Sequence, residues 1–123
     1  MDFKNAKELL DFCQKLNCPI SDIMKQRECT LAETSLEDIY AKMDHALSIM
    51  RESASSPIQE PKKSIGGLIG GEARLADLHR ARGAAICGSV LSRAITYSMA
   101  VLETNTSMGL IVAAPTAGSS GIV

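Results

Sequence analysis

The sequence predicts an all-α protein, a helical bundle of about five to six helices joined by glycine-rich loops. Three observations support that class. Aromatic residues make up 3% of the 123-residue chain and Trp is absent, so a core has to be built from Leu, Ile, Met, Val and Ala. Long aliphatic residues with abundant Ala favour helix over sheet. Apolar residues also recur at three- and four-residue intervals along most of the chain, and no strand-like alternation competes with them. Only Leu110-Ile111-Val112-Ala113 is too short for periodicity to decide.

The first helix is predicted from Phe3 to Asn17, with Phe3, Ala6, Leu9, Leu10, Cys13 and Leu16 on one face and Asn17-Cys18-Pro19 as its breaker. A second segment is predicted from Ser21, as its cap, to Glu33, with Ile20, Ile23, Met24 and Leu31 as apolar positions. The most regular helix follows. Ser35 caps it, Asp38 stands three residues on in a near capping box, and Leu36, Ile39, Tyr40, Met43, Ala46, Leu47 and Met50 keep register. Ser53 to Lys63, with Pro57 and Pro61 among polar residues, reads as an exposed loop. It suggests an N-terminal helical hairpin or bundle over 1–56, a linker over 57–65 and a second region over 66–123. There, Glu72 to Arg82 reads as a helix ended by Gly83. From Ala84 to Glu103, the positions Ile86, Val90, Leu91, Ala94, Ile95, Met99 and Leu102 predict a central, largely buried helix, with Gly88, Ser89, Ser98 and Ala100 allowing close packing.

Composition narrows the function classes. Hydrophobic residues at 46% and charged residues at 22% argue against a disordered tail and a membrane protein. The net charge of -1, with no concentration of Lys and Arg, argues against nucleic acid as a partner. The charged start, Met1-Asp2-Phe3-Lys4, lacks the apolar core of a secretory signal, and a cytoplasmic protein is expected. Cys13, Cys18, Cys29 and Cys87 match no zinc or iron–sulfur spacing, so each reads as a structural thiol and no metal is assigned. His45 reads as solvent-exposed, and His79 as a complement to a helix C-terminal dipole.

Two glycine-rich elements carry the candidate chemistry. Gly66 and Gly71 have the spacing of the outer glycines of a phosphate-binding loop, but Glu72-Ala73 stands where that motif needs Lys and then Ser or Thr. Gly66, Gly67, Gly70 and Gly71 therefore form either a turn between helices or a loop whose backbone N–H groups face a small anion. Near the end, Ala113-Ala114-Pro115-Thr116-Ala117-Gly118-Ser119-Ser120-Gly121 joins an apolar run to hydroxyls and glycines. Thr116, Ser119 and Ser120 suit a helix cap or an anion site, since both use the same groups. Asn105 either lines the same pocket or ends the long helix.

Ser64-Ile65-Gly66-Gly67-Leu68-Ile69-Gly70-Gly71-Glu72-Ala73, taken with Asn105 to Gly121, resembles the alpha subunit of the iron–sulfur-dependent bacterial L-serine dehydratases, and the resemblance covers nearly the whole chain. It implies the N-terminal part of an all-helical catalytic subunit. With a beta subunit, that lyase converts L-serine to pyruvate and ammonia. The resemblance also implies a 4Fe–4S cluster held by three cysteines, whose open iron acts as a Lewis acid on the serine hydroxyl. Thr116, Gly118, Ser119 and Ser120 would hold the serine carboxylate, and Gly66, Gly67, Gly70, Gly71 and Asn105 would form pocket wall. No catalytic base is placed. The family's cluster cysteines lie beyond the Thr-Ala-Gly-Ser element, and the four cysteines here do not correspond to them. The expectation is a truncated alpha subunit, binding no cluster and inactive alone. Its Leu91, Ile95, Met99 and Ile111 faces would lack partners and promote association into a homo-oligomer. The alternative is a non-catalytic helical interaction module that binds a beta subunit or a second copy.

Overall fold

The computed structural model describes residues 2–83 and 85–113, and within them five helices and no strand. These are α1 Ala6–Leu16, α2 Ile20–Leu31, α3 Leu36–Gln59, α4 Glu72–Ala81 and α5 Gly88–Thr106. The all-α class is as predicted, and Leu110 to Ala113 forms neither helix nor strand. The chain divides into two compact units, Met1–His45 and Ala46–Val123, and the division falls inside α3.

In the first unit α1 packs on α2, and Ile23 of α2 is fully buried. The Asn5 side chain caps α1 by accepting the Glu8 N–H at 3.0 Å. Asn17 ends it in the left-handed region, φ 46°, and Cys18 donates its N–H back to the Cys13 carbonyl. Pro19, not Ser21, occupies the N-cap of α2. Proline is well placed at a helix start, because its missing N–H is one that no helical carbonyl would have received. The capping box at α3 forms as predicted: Asp38 N–H donates to Ser35 Oγ at 3.1 Å and Ser35 N–H donates to Asp38 Oδ2 at 3.3 Å. Hydrogen bonds from Ser35 and then Thr34 hold the Asp38 carboxyl below its ordinary value. Lys25 bonds Asp22 at 2.7 Å and the Tyr40 hydroxyl at 3.0 Å, and these contacts raise its pKa.

The second unit departs from expectation in two places. The stretch from Ser53 read as a loop is helical up to Gln59, passing through Pro57. Proline in a helix interior normally costs about 3 kcal/mol because it leaves the carbonyl four residues back without a donor. That carbonyl belongs to Ser53, and Thr104 Oγ1 of α5 donates to it at 2.9 Å. Both Ser53 and Pro57 are buried, so the gap in the helix is closed by a neighbour, not by water. Arg74 of α4 donates to the Gln59 carbonyl at 2.9 Å and completes the C-terminus of α3.

The second departure concerns α5, which packs on α4. Its buried residues are Ser92, Thr96, Ala100, Val101, Glu103 and Thr104. The apolar positions expected to be buried lie largely outside, with Leu91 54% and Ile95 45% exposed. Small and hydroxyl residues win this face because they let backbones approach closely, and Ser92 and Thr96 return their hydroxyls to their own helix carbonyls.

The Thr104 contact yields a prediction. Thr104→Val should lower unfolding free energy by about 1–3 kcal/mol, the cost of leaving a buried carbonyl unpaired. In a Pro57→Ala background, where residue 57 regains an N–H for Ser53, the same substitution should cost distinctly less. Urea melts of the four proteins measure the difference; an equal cost in both backgrounds would refute the assignment.

Candidate functional site

The site begins with a closed loop between Ser64 and Ala73. Ser64 N–H donates to the Ile69 carbonyl at 2.8 Å, Ile69 N–H donates back to Ser64 Oγ at 3.2 Å, and Gly67 N–H reaches the Ser64 carbonyl at 2.9 Å. Gly66 and Gly67 are exposed at the tip, whereas Gly70 and Gly71 are half-buried at the base. Gly70 is required sterically: with φ 154°, an added Cβ would lie 2.7 Å from the Lys62 carbonyl oxygen and 2.8 Å from Lys63 Cα. Gly71, at φ 101°, is the N-cap of α4 and brings no side chain to its free N–H groups.

Those N–H groups are met by carboxylates of the chain itself. Glu72 Oε2 accepts the Gly70 N–H at 2.7 Å, and Glu103 Oε1, from α5, accepts the Ala73 N–H at 2.7 Å. The Glu72 carboxyl is held below its ordinary value by its own N–H and that of Gly70, with a smaller contribution from Glu103. The loop thus is an anion-binding arrangement, and its first anion is internal. The residue that breaks the phosphate-loop motif, Glu72, is the one that fills the position.

The predicted residues separate accordingly. Gly66, Gly67, Gly70 and Gly71 lie together on the loop, and Glu103 joins its base to α5 two residues before Asn105. Asn105 is exposed, and its carbonyl accepts the Met108 N–H at 3.1 Å, so its backbone serves the end of α5. Thr116, Gly118, Ser119 and Ser120 lie outside the described residues. His79 stands in the last turn of α4 as predicted. A cavity of about 660 Å³ lined by Met50, Ala54, Ala94, Tyr97, Val101 and Val112, among others, contains none of the predicted site residues. Its mostly apolar wall suits packing better than a carboxylate.

Sequence reasoning missed Glu103. An acidic residue near the C-terminus of a helix reads as a solvated end, yet it shares the 3.6-residue stripe of Thr96 and Ala100, which was the available signal. Among the described residues, no group of three His, Cys, Asp or Glu side chains is placed to hold a metal ion. Cys13, Cys18 and Cys29 are half-buried in the first unit, and Cys87 is exposed just before α5. Burial first, then Cys13 and Asp22, pushes the Cys18 thiol above its ordinary value, away from the thiolate a metal would need.

Comparison with known proteins adds the following. The family described as serine dehydratase alpha chain matches residues 15–123. A Bacillus subtilis (strain 168) protein named "Probable L-serine dehydratase, alpha chain" is 38% identical over 121 residues, covering 98% of this chain and 40% of the relative. The "L-serine dehydratase, alpha chain" of Peptoniphilus asaccharolyticus is 34% identical over 118 residues, covering 96% of this chain and 40% of the relative. The chain therefore spans 40% of the length of these relatives. No solved structure matches. No helix among the described residues is long and apolar enough to cross a membrane.

Two outcomes test the loop. Gly70→Ala should destabilise the second unit by more than about 1 kcal/mol, because both the backbone angle and the Lys62 carbonyl oppose a side chain; a urea melt reads it. Acidification should release Glu72: its lowered carboxyl contributes stability above its ordinary value of 4.5, lost as pH falls through the lower folded value. Exchange of the Gly70 amide should stay slow at pH 4.5 and accelerate only at more acid pH, after correction for intrinsic exchange.

Proposed function

The chain belongs to the serine dehydratase alpha-chain family, and from that membership we propose that it forms the carboxylate-binding side of an L-serine ammonia-lyase acting with a beta subunit. The observation that carries this reading is the extent of the likeness. The matched span, residues 15–123, contains both glycine-rich elements.

Conversion of L-serine to pyruvate and ammonia removes the α proton and the β hydroxyl, giving an enamine that hydrolyses. Holding the carboxylate fixed aligns the two bonds that break and turns binding into orientation. Thr116, Ser119 and Ser120 hydroxyls and the Gly118 N–H are donors suited to that task. Since the Gly70 and Ala73 N–H groups already bind Glu72 and Glu103, the substrate carboxylate falls to the Thr116–Ser120 element. Gly66, Gly67, Gly70, Gly71 and Asn105 then act as wall. The family's 4Fe–4S cluster does not fit the described residues, whose cysteines do not converge. This reading assigns the cluster's thiolates to sequence beyond the chain and takes no step on this chain through the iron.

A second reading is favoured by one observation. Val90, Leu91 and Ile95 are 84%, 54% and 45% exposed on one helix, a surface suited to a helical interaction module that binds a beta subunit or a second copy.

Anaerobic iron–sulfur reconstitution followed by absorption and pyruvate assays separates the readings. This chain alone should form no cluster and no pyruvate. Supplied with the remaining alpha-chain sequence of its relatives and a beta subunit, it should make pyruvate, and Ser119→Ala or Ser120→Ala should raise KM for L-serine about tenfold with less change in kcat, as expected for a lost carboxylate hydrogen bond. Assembly without pyruvate would favour the interaction module, and a cluster on the isolated chain would overturn the cysteine assignment.

A further inference from the structure

The apolar cavity of about 660 Å³ is lined from two helices, by Met50 and Ala54 of α3 and by Ala94, Tyr97 and Val101 of α5, with Val112 from the stretch that follows. A second cavity of about 340 Å³ shares Ala94 and Tyr97 with it and continues along α5 to Val90. The two are one groove. Val90, Ala94, Tyr97 and Val101 are spaced four, three and four residues apart, so they form a single stripe on α5. At 1.5 Å per residue that stripe is about 16 Å long, the length of three helical turns. Val90 is 84% and Tyr97 45% exposed, so the described residues leave the stripe open.

The charge of the groove is one-sided. Arg51 stands on the α3 side and Arg93 on the α5 side, both exposed, and among the described residues no acidic one lines either cavity. The ion pairs among the described residues are Lys25–Asp22, Arg27–Asp2 and Arg80–Asp77, so neither groove arginine takes part in one. Such a floor takes apolar side chains at helical spacing, and its two edges select acidic ones. Serine, with no apolar body, gains nothing from it.

We propose that this groove is the seat of an amphipathic helix from the rest of the alpha chain, with its apolar stripe on Ala94 and Tyr97 and with Asp or Glu on its flanks toward Arg51 and Arg93. The assignment rests on the reading of this chain as part of a serine dehydratase alpha chain. This chain spans 40% of the length of its relatives, so most of their alpha chain lies outside it and can supply the helix. Val112 brings the described backbone to the groove, so sequence that follows needs only a short connection to reach it. Two other occupants compete. A second copy would be seated by self-association, and a beta subunit would need that subunit to be present.

Chemical footprinting separates them. Ala94→Cys puts a thiol on the groove floor at an exposed position. It is placed in this chain and in a chimera in which this chain replaces the region of the Bacillus subtilis alpha chain that it matches, with no beta subunit and no serine. Alkylation by N-ethylmaleimide is followed peptide by peptide by mass spectrometry, and circular dichroism checks that each protein is folded. In the chimera the Ala94→Cys thiol should react about tenfold or more slowly than in this chain. Adding Arg51→Glu with Arg93→Glu should restore fast alkylation, whereas Arg51→Lys with Arg93→Lys, which keeps the charge, should retain the protection. Should the chimera not fold, this chain co-expressed with the unmatched part of that relative as a separate polypeptide gives the same comparison. Equal rates with and without the added sequence would leave the groove without a seated helix, and protection that survives Arg51→Glu with Arg93→Glu would remove the acidic flanks; either overturns the proposal. Protection of the isolated chain that rises with its concentration would make the occupant a second copy, and protection of the chimera only after a beta subunit is added would make it that subunit; both overturn it as well. Because the footprint needs neither cluster nor substrate, it can fail while Ser119 and Ser120 still govern KM, and the reverse.

Discussion

The Ser53 carbonyl is the constraint from which the second unit is organised. Pro57 deprives it of its helical donor, and a buried carbonyl without a donor is unfavourable by about 1–3 kcal/mol. Thr104 answers it from α5, across 51 positions of sequence. The next residue back, Glu103, turns the other way and binds the start of α4. Adjacent positions on a helix point about 100° apart, so one peptide step lets the end of α5 hold α3 and α4 at once. Arg74, reaching from α4 to the last carbonyl of α3, closes the triangle.

That arrangement explains why the packed face of α5 is polar and small. Large aliphatic residues would hold the helices apart and put Thr104 out of reach of Ser53. Ser92, Thr96, Ala100 and Thr104 permit a close approach, and the Ser92 and Thr96 hydroxyls cause no loss because they bond backwards to their own helix. The consequence is a helix with its apolar residues turned outward. Leu91 and Ile95 follow the helical period the sequence shows, but on the side that the described residues leave open.

The glycine-rich loop follows a related logic. Glycines at its base free the backbone to enter α4 at close quarters to Lys62 and Lys63, and that same freedom exposes N–H groups. Two glutamates then fill the anion positions that glycine creates. A loop with anion-binding geometry is thus not by itself a substrate site. The chain's own carboxylates occupy the N–H groups that a ligand's carboxylate would otherwise meet.

The sequence by itself determined the helices, since their periods and caps are contacts between residues three and four apart. The Asp38 box at Ser35, the Asn17 break and the Glu72 start all arise locally and are found where the pattern places them. Both glycine-rich elements were equally visible, because glycine and proline act on their own backbone. Only the tertiary structure decided that α3 continues through Pro57, that α5 packs by its small face, and that Glu103 is buried. Each of these depends on a partner remote in sequence: Thr104 for Ser53, Ala73 for Glu103 at a separation of 30. Local rules read proline as a stop and glutamate as solvated because they are written for unpartnered chains; a donor or an N–H brought in from another helix reverses both.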